Sequence, residues 1–243
     1  MTLVPSVPPA ANPRHLSLST EHYTPPDVVE AARASLGGID LDPATSVEGN
    51  RVFVKAVKIY TADDDGFVVP WKGRVFLNPP GGKCDRVGTS VVNVEKTKRR
   101  TKVDVWTCDL AGKAPCQHDH QAVQSSQKQW WRKLVGEWGA GRVRSAVFVG
   151  FSLEILQVTQ SGSDDGDLVA LDFPICVPRA RVPYYREDDG SSFRISERGS
   201  PPHASVLVFL PDMKREDESM SAFRRAFGAI GRVVVPLGRP WRS

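Results

Sequence analysis

The chain has no apolar run approaching the ~20 residues needed to cross a bilayer, so a membrane-spanning helix is not expected. Its first residues, "MTLVPSVPPAANPRHLSLS", lack the continuous apolar centre of a signal peptide. Their four prolines suggest a flexible leader over residues 1–19 instead. Cysteine is scarce: Cys84, Cys108, Cys116 and Cys176 are irregularly spaced in 243 residues. They do not make a disulfide framework and read as reduced thiols in a cytoplasmic protein. There is no internal repeat, and no low-complexity segment beyond the leader. There is also no large excess of one charge, since the net value is only +4, which permits a polyanionic partner without demanding one.

What is present is an ordinary globular composition, 40% hydrophobic and 25% charged. Its length suits one α/β domain with an elaborated insertion. "STEHYTPPDVVEAARASLGG" predicts a helix with signals at both ends. Pro25 and Pro26 suit a first turn, Asp27 suits the positive end of the helix dipole, and Gly37-Gly38 stop it. Val28, Val29, Ala32 and Leu36 form the stripe to be buried. "IDLDPA" (39–44) predicts a short strand running into a proline turn, and residues 47–58 a helix leading to "KIYTADDDG". "RVFLNPPGG" (74–82) then reads as a buried strand cut short by two prolines, which leaves Asn78 at its carboxyl end. Ligands bind along that edge in open α/β sheets. The alternation of helix and strand implies a mostly parallel, doubly wound sheet.

Residues 83–126 interrupt this rhythm and read as a polar insertion. They carry the basic run Lys96, Lys98, Arg99, Arg100 and Lys102, which suits phosphate contacts or, equally, a solvated charged flap. Cys108, Cys116, His118 and His120 are legitimate zinc ligands, but the cysteines are separated by seven residues, outside the two to four of structural zinc sites. No CxxC accompanies them, so a polar loop without metal is the expectation and a zinc site the alternative. Helical character resumes with "QWWRKLVGEWGAG". It is followed by the strand "SAVFVGF", a short helix "LEILQVTQ", strands in "LVALDFPICVP" and "SVLVFLP", and a last helix and strand in "ESMSAFRRAFGAIGRVVVPLG".

Three of these fragments in this order, "YTPP" before a helix, "DLDPA" ending a strand and "NPP" ending a later one, resemble amino-methyltransferases that use S-adenosylmethionine. The closer resemblance is to phage-type, Dam-like DNA N6-adenine methyltransferases. It rests on "HYTPPDVVEAAR", "GGIDLDPATS", "KIYTADDDG", "WKGRVFLNPPGG", "WWRKLVGEWGAGRV", "DFPICVPRAR" and "GSPPHASVLVFLP". It covers residue 20 to the end, apart from the insertion. The resemblance implies a Rossmann-like class I methyltransferase, phage or prophage encoded, with double-stranded DNA as partner and S-adenosylmethionine as cofactor. Asn78 and the Pro79 carbonyl would accept hydrogen bonds from the adenine amine, with Pro80 shaping the turn. Tyr23, Thr24, Pro25, Asp42, Pro43, Ala44 and Asp65 would hold the cofactor. Asp40 or Asp42 would face its ammonium group, and the sequence does not choose between them.

Two features depart from that family. "DPATS" lacks Gly-x-Gly, and Gly81 stands where an aromatic residue normally stacks on the flipped base. Trp130 or Trp131 could supply the stack, or the two could be a packed pair on an amphipathic helix. The same tetrapeptide chemistry would serve RNA adenine, cytosine N4 or glutamine, and loss of the aromatic would also suit an inactive DNA-binding relative.

Overall fold

The structure, a computed structural model, describes residues 22–61, 63–64, 66–79, 127–160, 167–188, 192–195, 204–238 and 240–242. The expected leader and the basic, cysteine-bearing insertion lie outside the described residues, as do Pro80, Gly81 and Asp65.

Helix α1 (Pro26–Leu36) begins on Pro25 and Pro26, carries Asp27 in its first turn, and ends where Gly37 turns left-handed (φ 72°), its N–H bonded to the Arg33 carbonyl. A left-handed residue without a Cβ costs little strain, which is why the chain can stop here. Strand β1 (Leu41–Asp42) follows, then a short helix α2 (Val47–Gly49) capped by Ser46, whose side chain accepts from the Gly49 N–H. The coil widens to π-helical over Asn50–Val54. The sequence suggests helix as far as residue 58, but the chain leaves it at Val54. Asn50 causes the early exit: its Oδ1 accepts from the Ala56 N–H at 2.7 Å and its Nδ2 donates to the Ala56 carbonyl at 3.3 Å. This clamp stands in for two helical backbone bonds.

Strands β2 (Lys58–Ile59) and β3 (Gly73–Leu77) come next, followed by helix α3 (Gln127–Gly139), strand β4 (Val143–Gly150) and helix α4 (Glu154–Val158). After a 3₁₀ turn at Ala170–Asp172 come β5 (Ile175–Pro178), a hairpin of β6 (Tyr185–Asp188) and β7 (Ser192–Ile195), then β8 (Val206–Leu210), α5 (Glu216–Gly228) and β9 (Gly231–Val234).

The main sheet has the order β2-β1-β3-β4-β8-β5-β9. Its first four strands are parallel, whereas β8 runs antiparallel to both β4 and β5, and β9 antiparallel to β5. The expectation of a mostly parallel sheet therefore holds for one half only, and the whole is mixed. The reason lies after β5, where no crossover helix follows among the described residues. The β6–β7 hairpin intervenes and β8 returns beside β5, as antiparallel neighbours do without a crossover.

Helices cover both faces. On one, α1 and α5 pack over Phe76, Val147, Val149, Leu207 and Phe209; on the other, α3 packs over Val75, Leu77, Ala146, Phe148 and Val208. Strand β3 thus alternates between two cores, with Val75, Phe76 and Leu77 all fully buried. A strand buried on both faces must be apolar throughout, which is what "VFL" is. Each such side chain stabilises the fold by roughly 1.5–3 kcal/mol. Among the described residues no helix is long and apolar enough to cross a membrane.

Candidate functional site at the carboxyl edge of the sheet

Strands β1 and β3 lie side by side and parallel, with Leu41 opposite Val75, so Asp42 and Asn78 emerge at the same edge. From β1 the chain moves outward to β2 on one side, then crosses back to β3 on the other. Connections that diverge in this way leave a crevice at the carboxyl ends, where α/β sheets bind ligands.

Asn78 stands at the end of β3, partly exposed, with Pro79 buried behind it. Its Nδ2 donates to the His22 carbonyl at 2.7 Å. A carbonyl oxygen only accepts, so this bond sets the amide orientation. The NH₂ must face His22, and Oδ1, which takes no bond from any described residue, is turned the other way.

The His22 carbonyl is itself held in place. Tyr23 N–H donates to the Tyr185 carbonyl and Tyr185 N–H to the Tyr23 carbonyl, both at 2.9 Å, which ties the segment before α1 to the β6–β7 hairpin. The Tyr23 ring is buried, stacks on Phe53 at 5.6 Å and meets Phe193 edge-on at 5.2 Å. Its hydroxyl lies 2.9 Å from Ser46 Oγ. The amide of Asn78 is therefore oriented by residues 56 positions away in sequence.

The second wall of the crevice is the turn after β1. Asp42 is 2% exposed, and its Oδ1 accepts from the Ala44 N–H at 3.1 Å, closing the Asp42-Pro43-Ala44 turn. The turn at 61–66 packs against it: Tyr60 N–H donates to the Asp42 carbonyl at 3.0 Å and Thr45 N–H to the Tyr60 carbonyl at 3.2 Å. Gly66 lies so close that a Cβ there would fall 1.8 Å from the Pro43 carbonyl oxygen. Only glycine permits this approach. Asp64 accepts at 2.8 Å from both the backbone N–H and the hydroxyl of Thr61. Those bonds hold its carboxyl below the usual carboxylate range. Asp63 is exposed, and Asp65, beyond Asp64, lies outside the described residues.

Thr24 follows Tyr23 and is 2% exposed, and its Oγ1 is buried without a hydrogen-bond partner among the described residues. A buried hydroxyl without a partner costs about 1–3 kcal/mol. A bound polar ligand would remove that cost.

Tyr23, Thr24, Pro25, Asp42, Pro43, Ala44, Asn78 and Pro79 all lie on segments that end at this edge. Two other expectations require correction. Asp40 precedes β1, at the opposite end of the strands, and is committed to Arg74. Arg74 N–H and Nε donate to its Oδ2 at 2.8 and 2.9 Å, and a guanidinium nitrogen pairs with Oδ1. The Arg74 bonds hold the Asp40 carboxyl below its ordinary value. Of the two aspartates, Asp42 is the one at the crevice.

Trp130 and Trp131 are 5% and 1% exposed and belong to the core. Trp130 stacks on Trp71 at 5.8 Å; Trp131 meets Phe148 and Phe173 edge-on and donates from Nε1 to the Leu168 carbonyl at 3.1 Å. Neither can stack on a base without unfolding this layer. Pro80, Lys96, Lys98, Arg99, Arg100 and Lys102 lie outside the described residues. So do Cys108, Cys116, His118 and His120; among the described residues no cluster of His, Cys, Asp or Glu is placed to hold a metal ion.

Two parts of the site escape sequence reasoning. The His22 carbonyl is a backbone group and leaves no trace in residue type. The β6–β7 hairpin did leave one: Asp189-Gly190 between "YYRE" and "SFRI" is a strong hairpin signal.

No protein-family model matches this chain, and neither a curated protein nor a solved structure shows significant similarity to it. The architecture is that of an α/β protein with helices on both faces of a seven-stranded mixed sheet, parallel through its core. Asp42 and Asn78 stand at the edge where the first parallel connections diverge.

Proposed function

We propose that this chain is a Rossmann-like class I methyltransferase that uses S-adenosylmethionine to methylate adenine N6 in double-stranded DNA. The observation that carries this reading is the Asn78–His22 bond, which leaves the amide oxygen unengaged by any described residue at the end of β3, the strand paired with β1. Adenine's exocyclic amine is a weak nucleophile because its lone pair is delocalised into the ring. Two acceptors aimed at its two hydrogens favour a pyramidal nitrogen and free that lone pair. Asn78 Oδ1 is one acceptor. The Pro79 carbonyl is the second, kept out of any ladder because the strand stops at the prolines. Preorganised acceptors of this kind supply transition-state stabilisation without reorganisation during the reaction.

The residues of the second wall fit the cofactor. Asp42 suits the ammonium group, Thr24 Oγ1 offers an unused hydrogen bond, and Tyr23, Pro25, Pro43 and Ala44 line the same end. By the resemblance, Asp65 would accept from the adenine amine. When bound, S-adenosylmethionine supplies an electrophilic methyl group on a sulfonium. The protein's part is to hold the amine in line with it, and positioning alone can supply several kcal/mol of the barrier reduction. The target base must leave the duplex to reach Asn78. With Trp130 and Trp131 in the core, the stacking surface has to come from other residues.

The test is to incubate the protein with S-adenosylmethionine and unmethylated duplex DNA, digest to nucleosides and weigh the products, with RNA and protein substrates in parallel. N6-methyladenine from DNA with wild type and none with Asn78→Ala is the expected result. Methylated cytosine, RNA adenine or glutamine would move the substrate while keeping the chemistry. Cofactor binding with no methylated product from any substrate would overturn the reading.

A further inference from the structure

At the far end of the same sheet edge lies a cleft of about 470 Å³ lined by Arg179, Arg224, Gly228, Gly231, Arg232 and Val233. The strand directions place it. Strand β5 runs parallel to β1 and β3 through two antiparallel steps, so Arg179, just beyond Pro178, lies at the carboxyl edge. Strand β9 starts there too, since Gly231 pairs with Pro178 and Arg232 with Val177. Helix α5 ends at the same edge, and Arg224 is one turn before its last residue.

Resting on the methyltransferase reading, we propose that this cleft is a phosphate-backbone contact site for the DNA duplex whose target base reaches Asn78. All three arginines are exposed, and no acidic residue lines the cleft among the described residues. Neither Arg224 nor Arg232 is ion-paired among the described residues, whereas Arg74, Arg142 and Arg144 at the opposite edge each pair with an acid. Arg179 is preorganised: its guanidinium donates to the Ala229 carbonyl at 2.7 Å and the Gly228 carbonyl at 3.1 Å, which holds its charge at the mouth. Three guanidinium groups around one cleft repel one another until an anion sits among them, and their planar donors suit phosphate oxygens. The spacing also suits a duplex. Four strand steps separate β3 from β9, roughly 19 Å, which is about half a helical turn along DNA. One face of one duplex can therefore span the crevice and the cleft.

The experiment measures binding of the full chain to a 30-base-pair duplex as a function of salt, with wild type, Arg224→Gln/Arg232→Gln and Arg224→Lys/Arg232→Lys. Methyl transfer and S-adenosylmethionine affinity are read on the same samples. Removing one phosphate-neutralising charge lowers the slope of log K against log salt by about 0.9, so the glutamine pair should lower it by about 1.8. It should bind DNA more weakly with cofactor affinity unchanged, and the lysine pair should restore most of the slope. An unchanged slope in a variant that still folds would overturn the proposal while wild-type methylation of DNA left the enzymatic reading standing. A reduced slope with no methyl transfer by wild type would do the reverse. Wild type that binds no DNA would overturn both.

Discussion

The two edges of the sheet are built from the same strands and differ in what their polar groups do. At the amino edge several charges are matched. Asp40 pairs with Arg74, Glu137 with Lys133 at 3.3 Å and also with Arg142, and Asp212 with Arg144 at 3.1 Å. At the carboxyl edge, polar groups are held but not satisfied: the Asn78 amide is tethered on one side only, and the Thr24 hydroxyl has no partner among the described residues. An edge that pairs its charges closes the fold; an edge that holds unsatisfied donors and acceptors in fixed directions is ready for a ligand. Burial deepens the contrast, because Thr24 is only 2% exposed and so cannot fall back on bulk water.

The sharpest way to test the contrast is at Asn78. Asn78→Ala should lower methyl transfer by at least about 10²–10³-fold, as loss of a preorganised transition-state hydrogen bond does. It should leave the thermal midpoint nearly unchanged, because the side chain is only partly buried. The reverse pattern is expected at Trp131, whose ring is 1% exposed between Phe148 and Phe173. Trp131→Ala should cost about 3–5 kcal/mol in denaturant unfolding; full stability with weakened DNA binding would return the residue to the site. Gly66→Ala sits between these. Its Cβ would meet the Pro43 carbonyl, so the turn must shift, at a cost of about 1–3 kcal/mol. Cofactor affinity should fall with stability, and calorimetric titration alongside thermal unfolding reads both.

The smallest effect is expected at the amino edge. The Asp40 side chain is 35% exposed, so solvent screens the pair and Asp40→Asn should cost no more than about 1 kcal/mol. Its carboxyl is held below the ordinary value in the fold. The folded state thus favours the charged form, and the stabilisation is complete above the unfolded value near pH 4. It is lost as pH falls through the lower folded value. Wild type and Asp40→Asn should converge in thermal midpoint as pH drops below about 4, and a constant gap down to the lowest pH would contradict this.

Much of this arrangement was legible in residue order. Phe76 and its neighbours read as a doubly buried strand because an apolar run met two prolines, and the signals at both ends of α1 fall where the helix starts and stops. The failures share a cause: they depend on partners distant in the chain. Asp40 and Asp42 are two residues apart and look alike locally; only the register of β1 against β3 shows that one meets Arg74 and the other the crevice. Trp130 and Trp131, with Leu134 and Trp138, have the spacing of a buried stripe, and the same spacing would present a stacking ring. Strand direction beyond β4 was hidden because hydrophobicity carries no sign of orientation. The His22 carbonyl, as a backbone group, could emerge only from the fold.

The most direct test of the central claim, that the His22 carbonyl aims the Asn78 amide oxygen at a substrate amine, is the methyl-transfer rate of Asn78→Asp at saturating S-adenosylmethionine, with cofactor affinity measured on the same sample. A carboxylate has no N–H for His22 and would set oxygen against oxygen, so the account predicts intact cofactor affinity and transfer reduced by about 10–100-fold, the equivalent of losing one hydrogen bond worth 1–3 kcal/mol. Transfer at the wild-type rate would show that the tether does not orient the catalytic amide, and the account of the crevice would be wrong at its centre.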